Sequence, residues 1–273
     1  MKLATVRVPG GTRAVVDAGH GVRLLPHHDV GAALEAGDID GQAHDAPAAP
    51  PAEQLVFAPL ITAPRKVLCV GHNYRAHIAE MGHEAPAFPN VFSKFASALI
   101  GSADDIQLDG AAHQWDWEAE LAVVVGTTVH RADTARARAA IAGYSVANDI
   151  SARDWQRRTS QWLLGKTFDS TTPLGPWLVT PDEVGDLSTH DLSCTVDGVE
   201  KQRSTLGDLL FDPVELVAYL SQVCRLEPGD VILTGTPGGV GTARHPVESL
   251  GDRQVVRTSI SGIGTCENRC VTA

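Results

Sequence analysis

Apolar and polar positions change period several times along the chain, and each change marks an element. Lys2 to Val8 alternates, Pro9-Gly10-Gly11 turns the chain, and Arg13 to Asp17 runs back, which is a hairpin pattern. Ala18-Gly19-His20-Gly21 turns it again before a short strand from Val22 to Leu25. Asp29 can cap a short helix to Ala36, with Gly37 ending it. His44 to Glu53 is rich in proline and alanine and reads as an extended linker. These segments set off a small N-terminal β-rich module with its linker at residues 1–58, leaving 59–273 as the main domain.

Within the main domain, Lys66 to Val70, ending at Gly71, reads as a buried-type strand, and Leu121 to Val125 is another. An alanine-rich helix is expected from Thr134 to Ala142, with Gly143 at its C-terminal end. Asp212-Pro213 supplies an N-cap and a first-turn proline for a helix through about Cys224. Pro228-Gly229 then turns into a strand from Val231 to Thr234. Strands outnumber helices and do not alternate with them regularly. An α+β fold with a large β component follows, rather than a doubly wound parallel sheet. There is no internal repeat.

Composition narrows the function. The 273 residues are 43% apolar and 20% charged, as in an ordinary soluble globular protein. Acids outnumber bases 33 to 22, a formal charge of −11, so the chain repels phosphate backbones and no nucleic-acid partner is expected. No apolar run approaches the ~20 residues of a membrane span, so no membrane partner is expected either. The first residues lack the apolar core of a secretion signal. Five scattered cysteines point to reduced thiols and a cytoplasmic setting. Cys266 and Cys270 lack nearby histidines and make a poor zinc site.

Candidate chemistry begins at Trp115-Asp116-Trp117-Glu118-Ala119-Glu120. On one strand, Glu118 and Glu120 share a face about 7 Å apart. An isolated pair of this kind also suits a solvated edge. A third acid, Asp149, closes the strand-like Gly143 to Asp149. Three carboxylates without Cys or His favour a hard cation, Mg²⁺ before Mn²⁺ or Ca²⁺. His77 and Glu80 are three apart and would share a helical face; a carboxylate beside an imidazole builds a general base for water, although a surface polar pair has the same spacing. Lys166, a lone lysine in an apolar stretch, could hold a substrate carboxylate or enolate oxygen, or reach solvent. The loop Thr234 to Gly241 lacks the Lys-Ser/Thr ending of a phosphate loop. No Gly-x-Ser-x-Gly elbow is present.

In order, these pieces resemble the fumarylacetoacetate hydrolase family. The resemblance is carried by Val70-Gly71-His72-Asn73-Tyr74, His77-x-x-Glu80, Trp117-Glu118-Ala119-Glu120-Leu121, and Asn148-Asp149-Ile150-Ser151-Ala152-Arg153-Asp154. It continues through Gly165-Lys166-Thr167-Phe168-Asp169, Leu174-Gly175-Pro176-Trp177, Leu226 to Asp230, and Thr234-Gly235-Thr236-Pro237. It implies a mixed β-roll catalytic domain, a homodimer and a bound Mg²⁺ or Mn²⁺. Glu118, Glu120 and Asp149 match the family's metal ligands, His77 and Glu80 its water-activating dyad, and Gln156, Lys166 and Thr236 its substrate-contacting positions. Two departures stand out: Lys94-Phe95 replaces a frequent Lys-Pro, and the larger enzymes' fourth acidic ligand has no obvious equivalent.

The expected reaction is metal-dependent hydrolysis of a C–C bond in a 3-acylpyruvate such as fumarylpyruvate, within aromatic or sugar-acid catabolism. His77, Glu80 and Lys166 would be the catalytic residues. The alternative on the same fold is decarboxylation or isomerisation of a 2-oxo acid, of the oxaloacetate or 2-hydroxyhepta-2,4-dienedioate type. A non-catalytic metal-dependent binding protein would show no metal-dependent turnover.

Overall fold

β1 (Lys2–Val8), β2 (Gly11–Asp17) and β3 (Val22–Leu24) open the chain, followed by α1 (Val30–Ala36) and α2 (Ile39–Asp45). β4 (Val67–Gly71) leads into α3 (Arg75–Glu80), β5 (Asn90–Lys94), β6 (Leu99–Ile100), β7 (Ile106–Leu108), β8 (Trp115–Asp116) and β9 (Ala119–Val125). Then come α4 (Thr134–Ala140), β10 (Ile141–Asn148), β11 (Ser151–Ala152), α5 (Arg153–Gln156), α6 (Leu163–Lys166), β12 (Thr172–Val179) and α7 (Pro181–Val184). β13 (Asp191–Val196), β14 (Val199–Thr205), α8 (Pro213–Val223), β15 (Val231–Leu233), β16 (Val255–Ile260) and β17 (Gly264–Thr272) complete it. The computed structural model describes residues 1–19, 21–80 and 84–272, and of 77, 79 and 80 the backbone only.

Local chemistry accounts for most boundaries. Asp29 caps α1 by accepting from the Ala32 N–H, and Gly37 closes it with φ 72°. Asp212 and Glu215 form a reciprocal capping box with Pro213 in the first turn of α8, and the helix ends at Val223, where the caps predicted it. Two segments differ from expectation. α2 occupies the start of the proline-rich stretch, beginning from Asp38 in the left-handed region at φ 48°. α4 stops at Ala140, two residues early, and Gly143 lies inside β10. A Cβ at Gly143 would sit 2.3 Å from the Val179 carbonyl oxygen, so that glycine serves strand approach and not helix termination.

The strands form a ten-stranded mixed sheet, ordered β3-β2-β1-β12-β10-β9-β15-β4-β5 with β6 beside β12, and a five-stranded sheet, β14-β13-β16-β17-β7; β8 and β11 pair separately. This is the α+β architecture that the strand excess predicted. β9 is buried throughout, and its residues alternate between two cores. Leu121, Val123 and Val125 pack with Leu192, Val256, Ile260 and Cys266 of the smaller sheet and with Leu216 and Leu220 of α8. Ala122 and Val124 pack on the other face with Val30 and Ala33 of α1, Cys69 and Leu233. A strand covered on both faces reads as a continuous apolar run. An acid on such a strand has no solvent to turn to.

Candidate active site

Trp115 to Val125 is not one uninterrupted strand. β8 pairs with β11 and β9 with β10, and the chain crosses between them at Trp117 and Glu118. Side chains take over the ladder there: the Glu118 N–H donates to Asn148 Oδ1 at 2.9 Å and the Ala119 N–H to Gln202 Oε1 at 2.9 Å. The Asp149 N–H donates to the Glu118 carbonyl at 2.8 Å. This register brings Glu118, Glu120 and Asp149 together at the strand ends. One carboxylate oxygen from each lies within 4.8 Å of the others, and all three residues are buried.

Three cations are buried among these acids. Lys166 Nζ lies 2.5 Å from Glu118 Oε2 and 2.8 Å from Asp149 Oδ2. Lys94 Nζ lies 2.5 Å from Asp149 Oδ1. Arg153 places Nη2 2.6 Å from Glu118 Oε1 and Nε 2.8 Å from Asp116 Oδ2. Burial alone would raise the Glu118 pKa, but the charges of Lys166 and Arg153 overcome it and hold the carboxyl down at about 2. Glu120 goes the other way: burial and the charges of Asp149 and Glu118 push it well above the usual range, although the Gly235 N–H donates to its Oε2 at 2.7 Å. Lys166 is desolvated yet held above its ordinary value by Asp149 and Glu118.

The donor set fits a hard divalent cation. Its ligand atoms are all oxygens, and each oxygen bonded to a lysine or arginine keeps a second lone pair. Four buried carboxyl groups (Asp116, Glu118, Glu120, Asp149) face three buried cations (Lys94, Arg153, Lys166), so the cluster holds one acid more than it has cations to pair. Asp116 has its own task. It accepts from the Trp117, Gly241 and Thr242 N–H groups at 2.8, 2.7 and 3.0 Å, tying the glycine-rich loop to Arg153.

The cluster opens into a cleft of about 450 Å³ whose lining includes Glu118, Glu120, Lys166, Gln156 and Thr236. α5 and α6 meet closely to put Gln156 and Lys166 on this cleft: a Cβ at Gly165 would lie 2.3 Å from the Gln156 nitrogen. Arg153 Nη1 donates to Gln156 Oε1 at 2.8 Å, which leaves the Gln156 amide N–H groups as the donors it can offer. Gln202 Nε2 donates to Thr236 Oγ1 at 2.7 Å, so the Thr236 hydroxyl proton is available to a bound anion. Phe92 and Trp162 form an edge-to-face aromatic wall, ring centroids 5.5 Å apart.

Residues 66–271 match the fumarylacetoacetate (FAA) hydrolase C-terminal family. The chain belongs to the fumarylacetoacetate hydrolase family. It is therefore an enzyme of that family, as the ordered motifs implied. It is 45% identical over 223 residues to the mitochondrial oxaloacetate tautomerase FAHD2A of Bos taurus, covering 81% of this chain and 71% of that protein. Over the full length of both chains its fold is similar to a fumarylacetoacetate hydrolase from the psychrophile Exiguobacterium antarcticum, at TM-score 0.89 and 31% identity. A 5-carboxymethyl-2-hydroxymuconate delta-isomerase from Mycobacterium smegmatis gives TM-score 0.81 and 36% identity, covering 100% of this chain and 99% of that one.

Among the family motifs, His77 and Glu80 lie on α3; their side chains are outside the described residues. α3 is tied to the loop before α8 by the Ala76 N–H, which donates to Asp208 Oδ2 at 3.1 Å, and by Arg75, which donates to the Leu210 carbonyl at 3.3 Å. Lys94, Arg153 and Asp116 carry no candidate role in the sequence reading, yet they complete the charge cluster. Two signals were present. Lys94 ends a strand as Lys166 ends the turn of α6, and Asp116 shares the alternation of Glu118 and Glu120. Among the described residues, no helix is long and apolar enough to cross a membrane.

Proposed function

We propose that this enzyme interconverts the keto and enol forms of a small 2-oxo diacid of the oxaloacetate kind, with a divalent cation at Glu118, Glu120 and Asp149. The observation that carries the proposal is the buried acid cluster, one acid in excess of its cations, opening into a cleft with Lys166, Gln156 and Thr236 on its wall. The name of the 45% identical bovine relative supports the substrate class.

When bound, the cation would supply Lewis-acid polarisation of a carbonyl. The chain's own groups do the rest. The Thr236 hydroxyl and the Gln156 amide donate to the carboxylate next to the oxo group and fix its plane. Lys166 Nζ donates to the oxo oxygen as it gains charge, an interaction stronger in the transition state than in the ground state. In the role that the family resemblance gives it, His77 takes the proton from C3, and a proton is returned to the oxygen to complete the enol. No covalent bond to the protein is needed.

A second reading is C–C hydrolysis of a 3-acylpyruvate, favoured by the His-x-x-Glu spacing on α3 and by the likeness to a fumarylacetoacetate hydrolase. There His77 would deprotonate a water that attacks the distal carbonyl. Following the ultraviolet decay of enol-oxaloacetate beside cleavage of an acylpyruvate, each with Mg²⁺ and Mn²⁺, separates the two. Accelerated enol decay without release of CO₂ is expected. Acylpyruvate cleavage with no effect on the enol would replace the first reading by the second; in that case His77→Ala should cost roughly 10²–10⁴-fold in cleavage. Inertness toward both substrates would overturn both readings.

A further inference from the structure

We infer that Arg157 is the counter-ion for the distal carboxylate of a dicarboxylic 2-oxo acid in this cleft; the assignment rests on the 2-oxo acid reading above. Among the described residues, three Arg or Lys side chains line the cleft: Arg153, Arg157 and Lys166. Two are already committed, Arg153 to Asp116 and Glu118 and Lys166 to Glu118 and Asp149. Among the described residues no carboxylate pairs with Arg157. Its Nη2 donates to the Thr242 hydroxyl, a neutral partner that leaves most of its five N–H donors unused.

Its placement is built into the site. Arg157 follows directly on α5, its N–H donating to the Arg153 carbonyl at 3.1 Å. The Thr242 that it touches is held through its own N–H by Asp116 Oδ2 at 3.0 Å. One acid, Asp116, thus orients both the arginine that faces Glu118 and the threonine that steadies Arg157. The adjacent Arg158 is turned elsewhere, its guanidinium 3.5 Å from the centre of the Trp155 ring. A chain of net charge −11 repels dicarboxylates at long range, so a second carboxylate needs a local cation. A planar guanidinium can grip it through two parallel hydrogen bonds.

Calorimetric titration with 2-oxoglutarate and with 2-oxopentanoate, which lacks the distal carboxylate, tests the assignment in the presence of Mg²⁺. The parent enzyme should bind the diacid more tightly. Arg157→Met should weaken diacid binding roughly 10- to 100-fold and leave the monoacid within about twofold. Arg157→Lys should recover part of the loss, since it keeps the charge and loses the fork. Arg157 is exposed, so both variants should melt like the parent. Equal losses for both ligands, or an unchanged diacid affinity, would overturn the Arg157 assignment alone. A parent that binds neither compound would withdraw the 2-oxo acid reading and the assignment with it.

Discussion

Both ends of the large sheet bury a carboxylate beside a lysine, and the two ends differ in what surrounds the pair. Where β4 and β15 begin, Lys66 Nζ lies 2.9 Å from Asp230 Oδ2 and 3.1 Å from Glu227 Oε2. The Glu227 N–H donates to Asp230 Oδ2 at 2.8 Å, so the acid also closes its own turn. Asp230 is the buried acid there, and Lys66, its side chain 24% exposed, reaches it from the solvent side. Where the same two strands finish, four buried acids meet three buried cations beside a cleft. A paired buried acid is thus ordinary architecture. Acid in excess of cation, held against a cavity, is what marks a site.

Removing the excess should have the largest effect. Glu120→Gln keeps the side chain's shape and deletes the charge that burial, Asp149 and Glu118 oppose most. Metal-dependent turnover should fall by about 10²–10³-fold or more, while the melting temperature in EDTA stays level or rises, because a repelling acid has gone. Mg²⁺ should raise the melting temperature of the parent through binding to the folded state, and that shift should disappear in the variant. Full activity of EDTA-treated parent would refute the cation site.

Lys166→Met should show both faces of the cluster at once. In the proposed mechanism its ammonium faces the oxygen that gains charge in the transition state, so the loss should fall on kcat by tenfold or more, worth ~1.4 kcal/mol, with a smaller change in KM. The same substitution leaves Glu118 and Asp149 one cation short in a buried setting, which should destabilise the metal-free protein by about 3–5 kcal/mol. Mg²⁺ should restore part of that stability but not kcat. Arg should rescue poorly, because a planar fork does not fit the place of a compact ammonium. A kcat within about twofold of the parent would remove Lys166 from the mechanism.

What was legible in the sequence follows the range of the forces. β1, β2, β9 and β15 could be read because alternation and apolar runs are local consequences of burial, and α8 because its capping box lies within four residues. α2 could not: Ile39–Asp45 buries none of its residues, so no apolar stripe announces it. In the site, Glu118 and Glu120 are adjacent enough to declare themselves, and Asp149 joins them as a third acid at a strand end. Lys94 meets Asp149 across 55 residues and Arg153 meets Asp116 across 37. Such pairings are set by sheet order, which local pattern does not encode.

At the other end of the sheet, Lys66→Met should change stability and leave turnover alone. It strands the buried Asp230 without its cation, at a cost of about 1–3 kcal/mol. Burial would lower the Lys66 pKa, but hydrogen bonds and charge from Asp230 and Glu227 hold it above its ordinary 10.5. A raised cationic group contributes fully below its unfolded value and loses its contribution as pH climbs through the folded one. The melting temperatures of parent and variant should therefore differ steadily from neutral pH to about 10 and converge in stronger alkali. A loss of activity matching that of Lys166→Met would erase the distinction between the two ends.

The smallest effect should come from Arg65, one residue away from Lys66 and bonded to the same acid. Arg65 Nη1 lies 3.1 Å from Glu227 Oε1 and Nη2 3.0 Å from Glu35 Oε1 of α1. If charge pairing by itself held this end together, Arg65→Ala would cost as much as Lys66→Met. The physical difference is desolvation: the Arg65 side chain is 58% exposed and that of Glu35 64%, so water screens both ions before and after the substitution. Neither partner is left buried without a counter-ion, because Glu227 keeps Lys66. Arg65→Ala should therefore shift the melting temperature by less than about 2 °C, and the shift should vanish in 1 M salt, where the screening length falls to about 3 Å. A drop as large as that of Lys66→Met, persisting at high salt, would show that these surface ions and not the burial of Asp230 stabilise the outer end.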